Sequence, residues 1–190
     1  MKAFWRWTGA IFFALVFVFL VLTGIGTSLP IEHHAACSAT YDKPIPFLFA
    51  AVENDDTSVY WRPDISRAEL VSGRGGTSVW RETDIHGRAI TYRTVAYDEG
   101  NRLVRTIDFV PGMPFSGTWA YTFSNETGKL ANPPVNASRL TIIEDGEIYN
   151  PFFRFSAHYV FGYTQSMRTY LVDLAKLSGK DLGITCLANP

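Results

Sequence analysis

Hydrophobic and polar positions divide the chain into two unequal parts. Phe4 to Leu29 is an apolar run broken only by Arg6, and no charge falls between Trp7 and Ile31. Beyond Ile31 the apolar positions recur with short periods among polar ones. A bilayer core of about 30 Å is crossed by roughly 20 helical residues rising 1.5 Å each. The run therefore predicts a membrane anchor over residues 1–30. A cleaved secretory leader shares the basic start and apolar middle, although its apolar core is normally shorter, about 7–15 residues. Lys2 and Arg6 on the short leading side predict a cytoplasmic N-terminus, which puts the domain that follows on the extracytoplasmic side of a single-pass protein.

After the anchor, His34–Tyr41 reads as a strand. Lys43–Asn54 reads as a helix, because Pro44 and Pro46 suit its start and Phe47, Leu48, Ala51 and Val52 have helical spacing. Asp55–Pro63 is a turn region. Strands are then predicted at Ile65–Val71, Thr77–Thr83, Ala89–Ala96, Leu103–Val110, Phe115–Phe123 and Ser138–Glu144, separated by turn-forming residues such as Gly73–Gly76 and His86-Gly87. This rhythm argues an antiparallel meander. Alternation assigns faces: Trp119, Tyr121 and Phe123 lie together, as do Leu140, Ile142 and Glu144, and Leu103, Arg105, Ile107 and Phe109.

A long closing helix is predicted from Asn150, a good N-cap, with Pro151 at its first position and Ser178-Gly179 as its stop. At 100° per residue, Phe153, Ala157, Val160, Thr164, Met167, Leu171 and Leu174 form one stripe. Phe152, Phe155, Tyr159, Tyr163 and Tyr170 form a second, and Arg154, His158, Gln165, Thr169 and Lys176 take the far side. Together the stripes exceed the ~100° of an ordinary surface helix. Such breadth fits a helix sunk in a curved sheet, a helix lining a cavity, or contact with membrane or partner.

The chain has 190 residues and a net charge of −1, and its Lys and Arg are scattered. With the anchor set aside, enough remains for one domain over 31–177 and a tail over 178–190. No basic stripe points to nucleic acid. Cys37 and Cys186 bracket the soluble part and could pair in an oxidising compartment or remain two unrelated buried thiols. Asn125-Glu-Thr and Asn136-Ala-Ser fit the glycosylation acceptor pattern.

Phe115-Ser-Gly-Thr-Trp-Ala-Tyr and the run from Leu140 through Glu144, Asn150 and Pro151 to Phe155 closely resemble membrane-anchored bacterial members of the SRPBCC superfamily. This helix-grip group includes START lipid-transfer domains and polyketide cyclase/dehydrase proteins. The resemblance covers residues 31–177 and is most specific over Glu144–Phe155. It implies an α+β fold in which a curved antiparallel β-sheet wraps a long C-terminal α-helix, with a hydrophobic cavity between them. Tyr60-Trp61-Arg62-Pro63 stands where relatives carry a tryptophan-containing turn, and the loop Asn125–Asn136 is longer than theirs.

The chemistry is sparse. Gly73-Arg-Gly-Gly lacks the lysine and helix of a phosphate loop, and no nucleophile elbow is present. The histidines His33, His34, His86 and His158 lack metal spacing, so neither a metal nor a cofactor is expected. His33-His34 reads as a polar pair at the membrane surface. Glu144 is the best catalytic candidate, because a carboxyl in register with Leu140 and Ile142 is a desolvated acid or base. It could equally organise the turn into the last helix. The expected cavity lining comprises Trp80, Glu82, Tyr92, Arg105, Trp119 and Tyr121 from the strands, with Leu140 and Ile142. From the helix it takes Phe153, Val160, Tyr163 and Met167. The function expected is membrane-tethered binding of a hydrophobic small molecule, a lipid, an isoprenoid or similar. A cyclase/dehydrase-type enzyme and a ligand-free interaction module are the alternatives. The bilayer and the apolar molecule are the partners expected, and nucleic acid is not.

Overall fold

The computed structural model describes residues 2–127, 136–178 and 181–189. Residues 128–135, most of the long loop expected between two strands, lie outside that range, as does Gly179 of the expected helix stop. Helix α1 (Lys2–Thr27) is followed by strand β1 (Glu32–Tyr41), helix α2 (Ile45–Glu53) and a 3₁₀ turn (Asp55–Tyr60). Strands β2 (Ile65–Ser72), β3 (Val79–Asp84), β4 (Ala89–Asp98), β5 (Arg102–Ile107), β6 (Phe115–Thr127) and β7 (Asn136–Ile148) form the meander. Helix α3 (Pro151–Ser156), helix α4 (Gln165–Ser178) and strand β8 (Asp181–Asn189) close the chain.

The eight strands make one antiparallel sheet in the order β2-β3-β4-β5-β6-β7-β1-β8. This is the α+β, curved-sheet-and-helix arrangement expected. Residues expected as a tail instead form the edge strand β8. It pairs with β1 so that Cys186 faces Cys37, and the two sulfurs are bonded.

Period-2 alternation decides what the sheet encloses. In β1, Ala35, Cys37, Ala39 and Tyr41 point inward and are buried. In register with them across β7 and β6 lie Ile142 and Tyr121 beside Cys37, and Leu140 and Phe123 beside Ala39. Helix α2, with proline in its first turn, adds Leu48, Phe49 and Val52 to this core. Helix α4 crosses the concave face with Met167, Leu171 and Leu174 buried, and the Tyr41 hydroxyl donates to the Leu171 carbonyl at 2.7 Å. Burying each such side chain contributes on the order of 1.5–3 kcal/mol.

The single long helix expected over the C-terminal region is two helices. Asn150 caps α3 as expected, its side chain accepting from the Phe153 amide. The backbone then widens into a π segment over Ala157–Phe161 and breaks at Gly162, whose φ is +77°. A left-handed residue ends a helix, and glycine adopts it without steric cost. The break resets the helical phase. Val160, expected inside, is 63% exposed, and Arg154, expected outside, is buried with its guanidinium donating to the Leu29 carbonyl at 3.2 Å.

Helix α1 is long and apolar enough over Trp7–Thr27 to cross a membrane, and nearly all of its side chains are uncovered by protein. It meets the domain at α3. The Phe19 and Phe152 rings lie 5.2 Å apart, and Gly26 sits so close to the Pro151 carbonyl that any Cβ there would clash.

Candidate functional site

Between the sheet and the α3–α4 segment lies a cavity of about 640 Å³. Its floor is the aromatic layer Tyr121, Tyr170 and Trp119, whose rings contact one another edge-on or tilted at 5.8–6.1 Å. Its lining is exposed, and so opens outward, at Phe153, Phe161 and Gly162 of the broken helix and at Gln165 and Ser166 of α4, with Phe115 and Ile148 from the strand ends half-buried. Phe153 and Phe161 are partly turned to the outside, alongside the exposed Tyr159 and Val160.

Two polar groups border this space on either side of Trp119, which pairs with Arg105 on β5 and with Glu144 on β7. On the β3–β5 side the Arg105 guanidinium is almost fully buried. It donates to Asp55 at 2.9 Å, to the Val52 carbonyl at 3.1 Å and to the Glu53 carbonyl at 2.7 Å, and it stacks on the Tyr92 ring. Arg62 donates to Glu82 at 2.6 Å and lies over the Tyr170 ring. Burial pushes the Asp55 carboxyl up to about 6, against the pull of the Arg105 guanidinium. For Arg105, burial alone would lower the pKa, but the Asp55 carboxylate together with the surrounding Tyr92, Tyr121 and Tyr170 more than offsets it and holds the guanidinium charged. Burial raises the phenols of Tyr92, Tyr121 and Tyr170, so these serve as hydrogen-bond donors rather than bases.

On the β1/β7 side stand His33 and Glu144, with Nε2 3.8 Å from Oε1 and the side chains only 6% and 16% exposed. His33 lies opposite Gly146 in the β1–β7 ladder. Its ring rests directly on that glycine, where a Cβ would come within 2.3 Å of the imidazole, and its face stacks on Tyr163 at 4.6 Å. The imidazole is thus clamped between backbone and ring. The expectation of a polar pair at the membrane surface fails for its first member: His34 is exposed and bonded to Asp145 at 2.7 Å, but His33 is inside. The alternation His33, Ala35, Cys37, Ala39, Tyr41 carried that signal.

Of the expected lining, Glu82, Tyr92, Arg105, Trp119, Tyr121, Phe153 and Tyr163 do border the cavity, and so does Glu144, the expected catalytic candidate. Leu140, Ile142 and Met167 do not, being fully buried in the core one or two rungs below. Trp80 borders a separate hollow of about 330 Å³ with Ala50, Glu53 and Leu70. Val160 faces outward because of the π segment. Asp55, Arg62, Tyr170, Phe161 and Gly162 were not among the expected lining. Asp55 arrives from a 3₁₀ turn with no periodicity to reveal its direction. Among the described residues no three His, Cys, Asp or Glu side chains come together as a metal site.

No family model and no curated protein matches the chain. Solved structures do match in fold. A START superfamily protein from Mycobacterium smegmatis superposes with a TM-score of 0.57 at 12% identity, over 77% of this chain and 97% of that one. The di-domain ARO/CYC StfQ from the steffimycin biosynthetic pathway gives 0.57 at 11% identity, over 76% of this chain and 50% of its own. The di-domain ARO/CYC BexL from the BE-7585A biosynthetic pathway gives 0.53 at 14% identity, over 82% and 49%. The chain thus spans about half of each di-domain protein. At these identities the likeness establishes the fold, not the activity.

Proposed function

We propose that this chain is a membrane-tethered binder that holds an apolar molecule in the cavity between sheet and α4. The observation that carries this reading is the cavity's position, its mouth built from the segment that packs on α1. Phe19 lies about 12 Å up the helix from Thr27, and its ring touches Phe152. If α1 spans the bilayer, α3 sits beside it at the membrane boundary, and the exposed Phe153, Tyr159, Val160 and Phe161 face lipid. Tethering then keeps the mouth at high effective concentration beside an apolar source. The START and ARO/CYC neighbours support an apolar-ligand fold. The Cys37–Cys186 bond and the basic leading residues Lys2 and Arg6 support an extracytoplasmic domain.

The test is native mass spectrometry of the full chain extracted from membranes in mild detergent. The expected spectrum carries an adduct that extracts into organic solvent. A chain that emerges empty and takes up no apolar probe would overturn the reading.

A second reading, a cyclase-type enzyme like those for which the ARO/CYC neighbours are named, is favoured by one observation: the His33–Glu144 pair on the cavity wall could move a proton. It requires turnover that is lost in Glu144→Gln while ligand occupancy persists.

A further inference from the structure

The cavity wall is unevenly satisfied. Four carboxylates border it. Asp55 is met by Arg105, Glu82 by Arg62, and Glu147 by the Tyr149 hydroxyl at 2.6 Å. Glu144 has only the imidazole at 3.8 Å, beyond hydrogen-bond reach. Both Glu144 Oε2 and His33 Nδ1 are buried atoms with no hydrogen-bond partner among the described residues. The β3–β5 side leaves the Arg105 Nε and Asp55 Oδ2 without a hydrogen bond, but Asp55 Oδ2 lies 2.8 Å from the Arg105 guanidinium, and that guanidinium already has a carboxylate, two carbonyls and the Tyr92 face. The unmet demand therefore lies at His33 and Glu144, and at Glu144 it is a demand for a donor, because a carboxylate only accepts; His33 Nδ1 takes a donor too in the tautomer that keeps its proton on Nε2, toward Glu144.

A buried acceptor left alone costs free energy, and a charged one costs more. Here the group is held in place rather than free to turn to water. The imidazole is wedged between Gly146 and Tyr163, and the indole of Trp119 stands opposite Glu144 in the ladder. An aromatic face beside a carboxylate is a favourable setting for a cation.

We propose that His33 and Glu144 are the head-group clasp of the cavity, and that the molecule taken has an apolar body and a hydrogen-bond-donating head, a protonated amine rather than a carboxylate or phosphate. This rests on the reading of the cavity as a ligand site and names the class of ligand. The amine would donate to the Glu144 carboxylate, whose side chain keeps 16% exposure, with its alkyl portion along Trp119 and Tyr170.

The test titrates the full chain, in maltoside detergent, with dodecylamine, dodecanol and dodecanoate at equal concentrations, reading adducts by native mass spectrometry. Dodecylamine is expected to bind at least tenfold more tightly than dodecanoate, with dodecanol between. Glu144→Gln should shrink that preference to about threefold or less, while Glu69→Gln, on the β2 edge strand outside the cavity, leaves it intact. Equal binding of all three by the native chain would sink the clasp and leave the cavity reading standing. Preference for dodecanoate, or a preference indifferent to Glu144→Gln, would also overturn it. Uptake of none would remove both readings together.

Discussion

At the scale of single residues, the cavity places ionisable groups where water cannot serve them, and Asp55 has the clearest consequence. Its carboxyl titrates near 6 in the fold against an ordinary value of 3.8. The folded state therefore binds this proton more tightly than the unfolded chain. By linkage, the contribution of Asp55 to stability is fully present below about pH 4 and is lost as pH rises through 6. At about 1.4 kcal/mol per pKa unit, the loss is on the order of 3 kcal/mol. Denaturant titrations of the native chain and of Asp55→Asn between pH 4 and 7 check this. The native chain should lose stability across that window relative to the variant, whose profile lacks the step. Between pH 4 and pH 7 the variant should therefore gain about 3 kcal/mol on the native chain, because its neutral amide stands in for the protonated carboxyl that the fold favours. Parallel profiles for the two proteins would refute the assignment. The sequence revealed Arg105 and Glu144 through alternation within their strands. It could not reveal their partners: Asp55 reaches Arg105 across 50 residues, and no local pattern encodes such a pairing.

At the scale of elements, the antiparallel meander and most strand positions were legible because strands alternate and glycine marks the turns, whereas the placing of β1 between β7 and β8 was not. The closing helix was legible in composition but not in shape. Its apolar residues are spaced as though it were continuous. Yet the π segment at Ala157–Phe161 and the left-handed Gly162 divide it, so a phase carried across the break misplaces Arg154 and Val160. π segments recur at functional sites because they displace side chains from regular registry, and here the displacement exposes Tyr159, Val160 and Phe161 at the mouth. If the mouth meets lipid, a spin label on Val160→Cys in the full chain in nanodiscs should be open to oxygen and shielded from a water-soluble nickel complex. The native cysteines are bonded to each other and do not compete for the label. Ile11→Cys, inside α1, provides the lipid reference. Glu99→Cys, at the β4–β5 turn at the other end of the sheet, provides the aqueous one. A Val160 label that behaves like Glu99 while Ile11 reads as buried would detach the mouth from the membrane without disturbing the anchor.

At the scale of the whole molecule, one strand joins every part of this reading. β1 begins five residues after α1 ends, carries His33 on its inner face, and lies between β7 and the edge strand β8. Along the backbone, the anchor enters the domain through it, beside the packing of α1 on α3. Residues 181–189 were expected as a tail because they have few large apolar side chains to advertise a strand; their ladder with β1 carries the bond from Cys186 to Cys37, 149 residues away. Closing a loop of that size removes unfolded-state entropy worth about 5 kcal/mol in the chain-entropy account, and measured effects more often fall at 2–4 kcal/mol. Replacing both cysteines by alanine should therefore lower unfolding stability by about 2–5 kcal/mol, as read from denaturation of the full chain. Hydrogen exchange distinguishes where the loss falls. The β8 amides should lose protection first, β1 next, and the β4–β6 centre of the sheet last, because β8 has β1 as its only neighbour in the sheet. Loss of protection spread evenly over all strands would mean that the bond stabilises the domain globally and does not specifically secure the strand that links cavity to anchor.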